Sequence, residues 1–200
     1  MNALLSPEEP DLTIVIPCLN EEDTLGTCLS KLQTVAKEKE FDLEVIVADN
    51  GSHDKSIEIA SKFKARLVHV SCKGYGAALM GGIDQAKASF ILMADADDSY
   101  DFLEVPKFFQ KLKEGFDLVQ GCRLPKGGGK ISQGAMPWSH RHIGNPLFTF
   151  LARNWFGSPI NDVYCGMRAF RKSFYDSLKM KGNGMEFATE MIIRSSLGGA

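Results

Sequence analysis

Three carboxylates, Asp95, Asp97 and Asp98, close an apolar run from Phe90 to Ala94. The run is short, apolar throughout and bounded by polar residues, so it reads as a buried strand over 89–94. In an open α/β sheet, ligands bind beyond the carboxyl ends of the strands. Carboxylates gathered at such an end repel one another, and stability alone gives no reason to gather them. A hard divalent cation does, because Mg²⁺ takes oxygen ligands, typically one or two carboxylates plus substrate phosphates. Asp95 and Asp97, with Ala96 between them, are therefore candidate ligands of a metal that in turn holds a diphosphate. An isolated Asp-x-Asp is more often a solvated turn, so the motif gains weight only from its position and its neighbours.

Those carboxylates need a sheet to hold them, and the chain supplies one. Leu12 to Ile16 is a largely aliphatic strand closed by Pro17, with Cys18-Leu19-Asn20-Glu21-Glu22 after it. Leu25, Leu29, Leu32 and Val35 or Ala36 then recur at helical spacing. Acidic residues at 21–23 suit the positive N-terminal end of that helix. Leu43 to Ala48 is a second strand ending in Asp49-Asn50-Gly51-Ser52, and Ser52 or Asp54 would cap a helix over 55–64. Arg66 to Val70 is a short third strand. Lys73-Gly74-Tyr75-Gly76-Ala77-Ala78 opens a helix of small residues reaching Lys87. The third glycine of a dinucleotide fingerprint is Leu79 here, so Gly74 and Gly76 read as a tight turn and close packing. Val105, Phe108, Phe109 and Leu112 mark the helix after the strand at 89–94, and Leu118 to Gln120 is the core of a fifth strand. This alternation implies βαβ units, hence an α/β fold with a mostly parallel central sheet flanked by helices. Right-handed crossovers bring the ends of the first, second and fourth strands to one side. Pro17 to Glu21, Asp49 and Asp95 to Ser99 are thus expected to face one crevice.

Composition narrows the class. Two hundred residues suffice for one domain with a sizeable core, and 44% hydrophobic with 24% charged residues is ordinary for a globular protein. A net charge of −2 gives no sign of a nucleic-acid partner. The five cysteines, at 18, 28, 72, 122 and 165, show no metal-ligand spacing. With no signal peptide, they point to reduced cytosolic thiols. No run of 18 or more apolar residues occurs, so no transmembrane helix is expected within these residues.

After Arg123 the alternation breaks. Residues 124–137, with Gly127-Gly128-Gly129, read equally as a lid over a ligand or as a surface loop. Pro146 to Phe156 is dense in aromatics and is read as core, with contact to a membrane surface or lipid chain as the sharper alternative. Asn161 to Arg168 leads into Ala169-Phe170, and Arg168 is a candidate ion-pair partner for Asp162. Residues 186–197 read as a final helix before Gly-Gly-Ala, so the domain is either minimal or lacks a C-terminal part. Residues 1–11 are taken as a flexible terminus and 12–200 as a single catalytic domain.

Seven stretches, in order, carry a family resemblance. They are Val15-Ile16-Pro17-Cys18-Leu19-Asn20-Glu21-Glu22, Val47-Ala48-Asp49-Asn50-Gly51-Ser52-His53-Asp54, Gly74-Tyr75-Gly76-Ala77-Ala78, Asp95-Ala96-Asp97, Gly121-Cys122-Arg123, Arg141 with Gly144-Asn145, and Asp162 with Cys165-Gly166-Met167-Arg168. Together the chain resembles a family-2 glycosyltransferase of the nucleotide-sugar-dependent type, with the GT-A fold. The subgroup it looks most like is the polyprenyl-phosphate (dolichyl-phosphate) mannosyl- and glucosyltransferases. The resemblance implies a nucleoside pocket lined by Pro17, Glu21 and Asp49, with Asp49 accepting from the base. It implies Asp95 and Asp97 at the diphosphate and its Mg²⁺ or Mn²⁺, and phosphate-facing roles for Arg123, Arg141 and Asn145. It also implies an inverting transfer of a hexose from a UDP-glucose or GDP-mannose type of donor. Such enzymes work at the cytoplasmic face of a membrane, so a cytoplasmic or peripheral location is expected.

A hydroxyl acceptor would need a general base, usually a carboxylate. Asp162, Glu186 and Glu190 are the candidates, although Glu186 and Glu190 at i, i+4 equally suit a solvated helix face. A phosphate acceptor is already mostly dianionic near pH 7 and needs no base. Arg141 and Asn145 offer it a seat, so polyprenyl phosphate is the favoured acceptor over a saccharide hydroxyl. Two other readings stand beside this one. An apolar strand ending in Asp-x-Asp is also the nucleophile motif of haloacid-dehalogenase-type phosphatases, though there on the first strand. A non-catalytic nucleotide-sugar-binding domain is the third.

Overall fold

The computed structural model describes residues 10–38, 41–123, 149, 150, 154 and 160–198. Its first strand, β1 (Leu12–Cys18), and second, β2 (Leu43–Asp49), are buried along their whole length. Near-continuous apolar runs of this kind belong to parallel strands covered on both faces. They pair in parallel with Pro17 opposite Ala48 and Cys18 opposite Asp49, so both chains leave the sheet at one level. Strand β3 (Arg66–His69) pairs parallel with β2, and β4 (Phe90–Met93) pairs parallel with β1. The Ala94 amide still bonds the Val15 carbonyl at 3.3 Å, which carries Asp95 to the same edge.

Helices cover both faces. On one side α1 (Leu25–Glu38) buries Leu25, Cys28, Leu29, Leu32 and Val35, a single stripe at helical spacing. It joins α2 (Ser56–Lys62) and α4 (Val105–Lys113) over one core. On the other side α3 (Tyr75–Asp84) lies on β1 and β2. Its glycines permit the approach: a Cβ at Gly82 would stand 2.5 Å from a Val15 methyl. The last helices, α5 (Lys172–Leu178) and α6 (Glu186–Leu197), close this second core through Tyr175, Phe187 and Met191.

The far half of the sheet departs from simple alternation. The order among the described residues is β3-β2-β1-β4-β6-β5, where β5 is Leu118–Gln120 and β6 is Arg168–Arg171. Strand β6 runs antiparallel between β4 and β5. The alternation up to Gln120 locates β5 but says nothing of this insertion. Strand β6 is four residues long with arginine at both ends, so neither an apolar run nor an alternation marks it. Arg168 is fully buried nonetheless, with its guanidinium donating to the carbonyls of Cys165, Val163 and Ala188 at 3.0, 2.8 and 2.6 Å. The five cysteines are free. Among the described residues no helix is long and apolar enough to cross a membrane.

Candidate active site

The carboxyl ends of β1, β2 and β4 open into one cavity of about 510 Å³. The cavity is lined by Pro17, Cys18, Leu19 and Glu21 at the end of β1, by Asn50 after β2, by Lys73 and Tyr75 at the start of α3, and by Asp95, Ala96 and Asp97 after β4. Met185, 71% exposed, stands at the rim.

The end of the cavity beside Pro17 and Glu21 is fixed by a zipper between two loops. The Asn20 amide donates to Ser52 Oγ at 3.0 Å and the Glu21 amide to Ser56 Oγ at 2.8 Å. In return the His53 amide donates to Asn20 Oδ1 and the Lys55 amide to Glu22 Oε2. The N-cap of α2 is Lys55, which makes no side-chain cap bond, so neither Ser52 nor Asp54 caps this helix; Asp54, one residue earlier, accepts the Ser56 amide at 2.9 Å. Asp49 is turned to its own loop, accepting from the Ser52 amide at 2.9 Å, the Gly51 amide at 3.2 Å and His69 Nδ1 at 3.2 Å. Burial would raise its pKa, but the hydrogen bonds from Ser52, then His69 and Gly51, outweigh it and hold the carboxyl below its ordinary value. The cavity wall takes Asn50 in its place. Asn50 straps the next segment, donating to the Val70 and Cys72 carbonyls and accepting from the Gly74 amide. Gly74 has φ +132°, and a Cβ there would stand 2.2 Å from the Asn183 carbonyl oxygen, so only glycine fits this turn. Lys73 Nζ donates to the Asn50 carbonyl at 2.5 Å and is the one cation in the wall among the described residues.

At the other end the three carboxylates part company. Asp98, at φ +57°, turns away from the cavity and pairs with Lys31 of α1 at 2.8 Å. Cys28 of α1 reaches the Ala96 carbonyl at 3.4 Å. These two contacts pin the segment, and Asp97 stays exposed, its Oδ1 accepting the Ser99 amide at 3.0 Å. Asp95 lies deeper and accepts from the Tyr75 hydroxyl at 2.8 Å. Burial pushes its carboxyl above the ordinary carboxylate range, more than the Tyr75 hydroxyl pulls it back, and the Asp97 charge adds to the rise. Two carboxylates facing one cavity, one of them electrostatically uncomfortable, fit a hard divalent cation that completes its shell with phosphate oxygens.

That discomfort has a consequence for stability. A carboxyl raised on folding holds a proton that the unfolded chain has released, so stability falls as pH climbs from about 4 through the raised value and stays lost above it. Asp95→Asn keeps an acceptor for Tyr75 and removes the charge. The ligand-free variant is expected to melt about 2–4 °C higher than the parent at pH 7, by calorimetry. A lower melting point would mean that the lost carboxylate bonds outweigh the relief of charge.

Arg123 does not stand free to meet phosphate. Its Nε and Nη2 bind Asp162 at 2.9 and 3.0 Å, and its amide adds a third bond at 3.0 Å. Asp162, fully buried, pairs with Arg123 rather than with Arg168. Glu190 accepts from the Lys181 and Gly182 amides and from Arg194 Nε, while Glu186 accepts from the Gly184 amide. Arg141, Asn145 and the segment 124–137 lie outside the described residues, as does most of the aromatic stretch; of its aromatics Phe150 is described, and is exposed. Lys73, Tyr75 and Met185 also line the cavity; the motifs assign none of them a role, although Lys73 and Tyr75 stand in the stretch 73–78. The signal for the first two was their place at the N-terminus of α3, next to a glycine turn.

Comparison with known proteins agrees with this layout. The family model for glycosyl transferase family 2 matches residues 13–179. A low-salt glycan biosynthesis hexosyltransferase of Haloferax volcanii is 36% identical over 187 residues, 93% of this chain and 44% of that protein. A dolichyl-phosphate hexose transferase of the same organism is 31% identical over 189 residues, 94% of this chain and 78% of that protein. The chain thus spans less than half of the first relative's length. Glucosyl-3-phosphoglycerate synthase of Mycobacterium tuberculosis, solved with Mn²⁺, UDP and glucosyl-3-phosphoglycerate, superposes with a TM-score of 0.66 at 21% identity, covering 90% of this chain and 62% of that one. The α/β architecture is therefore the GT-A fold, and the phosphatase alternative drops out. By a family match across most of its length and a close relative that it largely covers, the chain belongs to glycosyl transferase family 2.

Proposed function

We propose that the chain is the catalytic domain of a metal-dependent, inverting glycosyltransferase that moves a hexose from a nucleotide sugar to polyprenyl phosphate at a membrane surface. The observation that carries the donor half is the cavity that joins Asp95 and Asp97 to the loops after β1 and β2. Its length would take a nucleoside at the Pro17–Glu21 end and a diphosphate at the carboxylate end. Mg²⁺ or Mn²⁺ held by Asp95 and Asp97 would neutralise the negative charge that grows on the departing diphosphate. Lys73, anchored on the Asn50 carbonyl, keeps two of its three N–H donors for donor oxygens. UDP-glucose and GDP-mannose are the donor types to test.

The acceptor half rests on the state of the carboxylates. A general base works best with a pKa near the operating pH. Hydrogen bonds to the Gly184 amide and to its own amide lower the pKa of Glu186. Those from the Gly182 and Lys181 amides outweigh burial and lower that of Glu190. Asp162 is locked to Arg123. All three candidate bases are thus committed elsewhere, which favours an acceptor that arrives ionised. A phosphate oxygen would attack the anomeric carbon, the bond to the diphosphate oxygen would break, and the nucleoside diphosphate would leave. The dolichyl-phosphate relative has the same acceptor chemistry in its name. Incubation with each labelled nucleotide sugar and vesicles carrying polyprenyl phosphate is expected to yield a labelled lipid. Label transferred only to added saccharide would replace the phosphate acceptor with a hydroxyl one.

A further inference from the structure

We propose that Tyr75 and Tyr100 are positioning residues that hold the Asp95 carboxylate in the orientation it needs to meet a divalent cation. The inference rests on the donor-site reading above. Asp95 sits two residues past β4, where no ladder bond fixes its side chain. Its orientation must come from elsewhere. The Tyr75 hydroxyl, from the first residue of α3, donates to Oδ1 at 2.8 Å. The Tyr100 hydroxyl accepts the Gly166 amide at 2.7 Å, so its own proton is not spent on that bond. Gly166 packs so tightly that a Cβ would meet Asp95 Oδ2 at 2.4 Å and the Tyr100 hydroxyl at 3.0 Å.

The carboxylate is therefore bonded by Tyr75 and crowded by Tyr100 and the Gly166 backbone, which leaves it little room to turn. Both hydroxyls are attached to rigid rings, and Tyr100 is 8% exposed. Behind them, fully buried Arg168 fixes the Val163 and Cys165 carbonyls in the turn just before Gly166, and its charge reaches Tyr75, Tyr100 and Asp95. Supporting bonds of this kind, one step removed from a cation, commonly govern its affinity.

The test uses Tyr75→Phe, Tyr100→Phe and the double variant, each of which deletes only hydroxyl groups. Mn²⁺ is titrated calorimetrically into protein saturated with UDP, and in parallel with GDP. Binding of each nucleotide without metal and the melting temperature are measured on the same samples. Weakening of Mn²⁺ binding by about 10–100-fold, with metal-free nucleotide affinity unchanged, is the expected result. Loss of both affinities in proportion, or unchanged Mn²⁺ affinity in the double variant, overturns the assignment. If Tyr75→Phe does not fold, Tyr100→Phe carries the same expectation. A parent protein that takes up Mn²⁺ with neither nucleotide would instead overturn the donor-site reading on which the assignment stands.

Discussion

Asp97→Asn is expected to lower nucleotide affinity in the presence of Mn²⁺ by at least about a hundredfold while leaving the fold intact. The residue is exposed, and its loop bond is to the Ser99 amide, which an asparagine oxygen can still accept. Little stability is at stake. The change removes one of the two carboxylates lining the cavity, and the remaining one, Asp95, is the more deeply set and reluctant member of the pair. Losses of about 10–100-fold follow when only a supporting bond to a metal ligand is removed, so loss of a ligand itself is larger. Metal-free binding is expected to hold or improve slightly, because a negative charge near the diphosphate is gone. A folded variant that keeps its full metal-dependent affinity would place the cation elsewhere.

The second large effect is on stability. Arg123→Met is expected to cost about 3–5 kcal/mol in chemical denaturation, because it strands a buried carboxylate. Asp162 is fully covered and meets Arg123 through two guanidinium nitrogens and one amide. The pair joins the end of β5 to the segment that leads into β6, and so holds the inserted strand against its neighbour. Adding Asp162→Asn to the same chain is expected to recover part of the loss, since the stranded group then carries no charge. A cost under about 1 kcal/mol would mean that solvent screens the pair. Arg123 would then be free for the phosphate role that its motif suggests.

The contrast between these two residues shows what a sequence discloses. Apolar runs reported β1, β2 and β4 because central parallel strands are buried on both faces, and periodicity reported α1; the helix expected over 186–197 is α6. Connectivity then placed Pro17, Glu21 and Asp95 at one edge, because handedness leaves few alternatives. Side-chain partners were harder, since they depend on tertiary packing. Asp95, Asp97 and Asp98 look alike in a string, and only the position of Lys31 on α1 shows that Asp98 belongs to the helix rather than the cavity. Asp162 lies six residues from Arg168 and 39 from Arg123, yet the distant residue is its partner, because β6 slots in beside β5. Arg168 breaks the rule that arginine is exposed, since two carbonyls of the preceding turn and one from α6 take its donors. Tyr75 stands in a motif stretch whose glycines drew the attention, and only the fold shows its hydroxyl on Asp95.

The most direct test of the central claim is a calorimetric titration of the parent protein with UDP and with GDP, each with and without Mn²⁺. Binding of one nucleotide that strengthens sharply with Mn²⁺ is the predicted result, and it names the donor class. Binding of neither nucleotide in either condition would contradict a donor site at the ends of β1, β2 and β4.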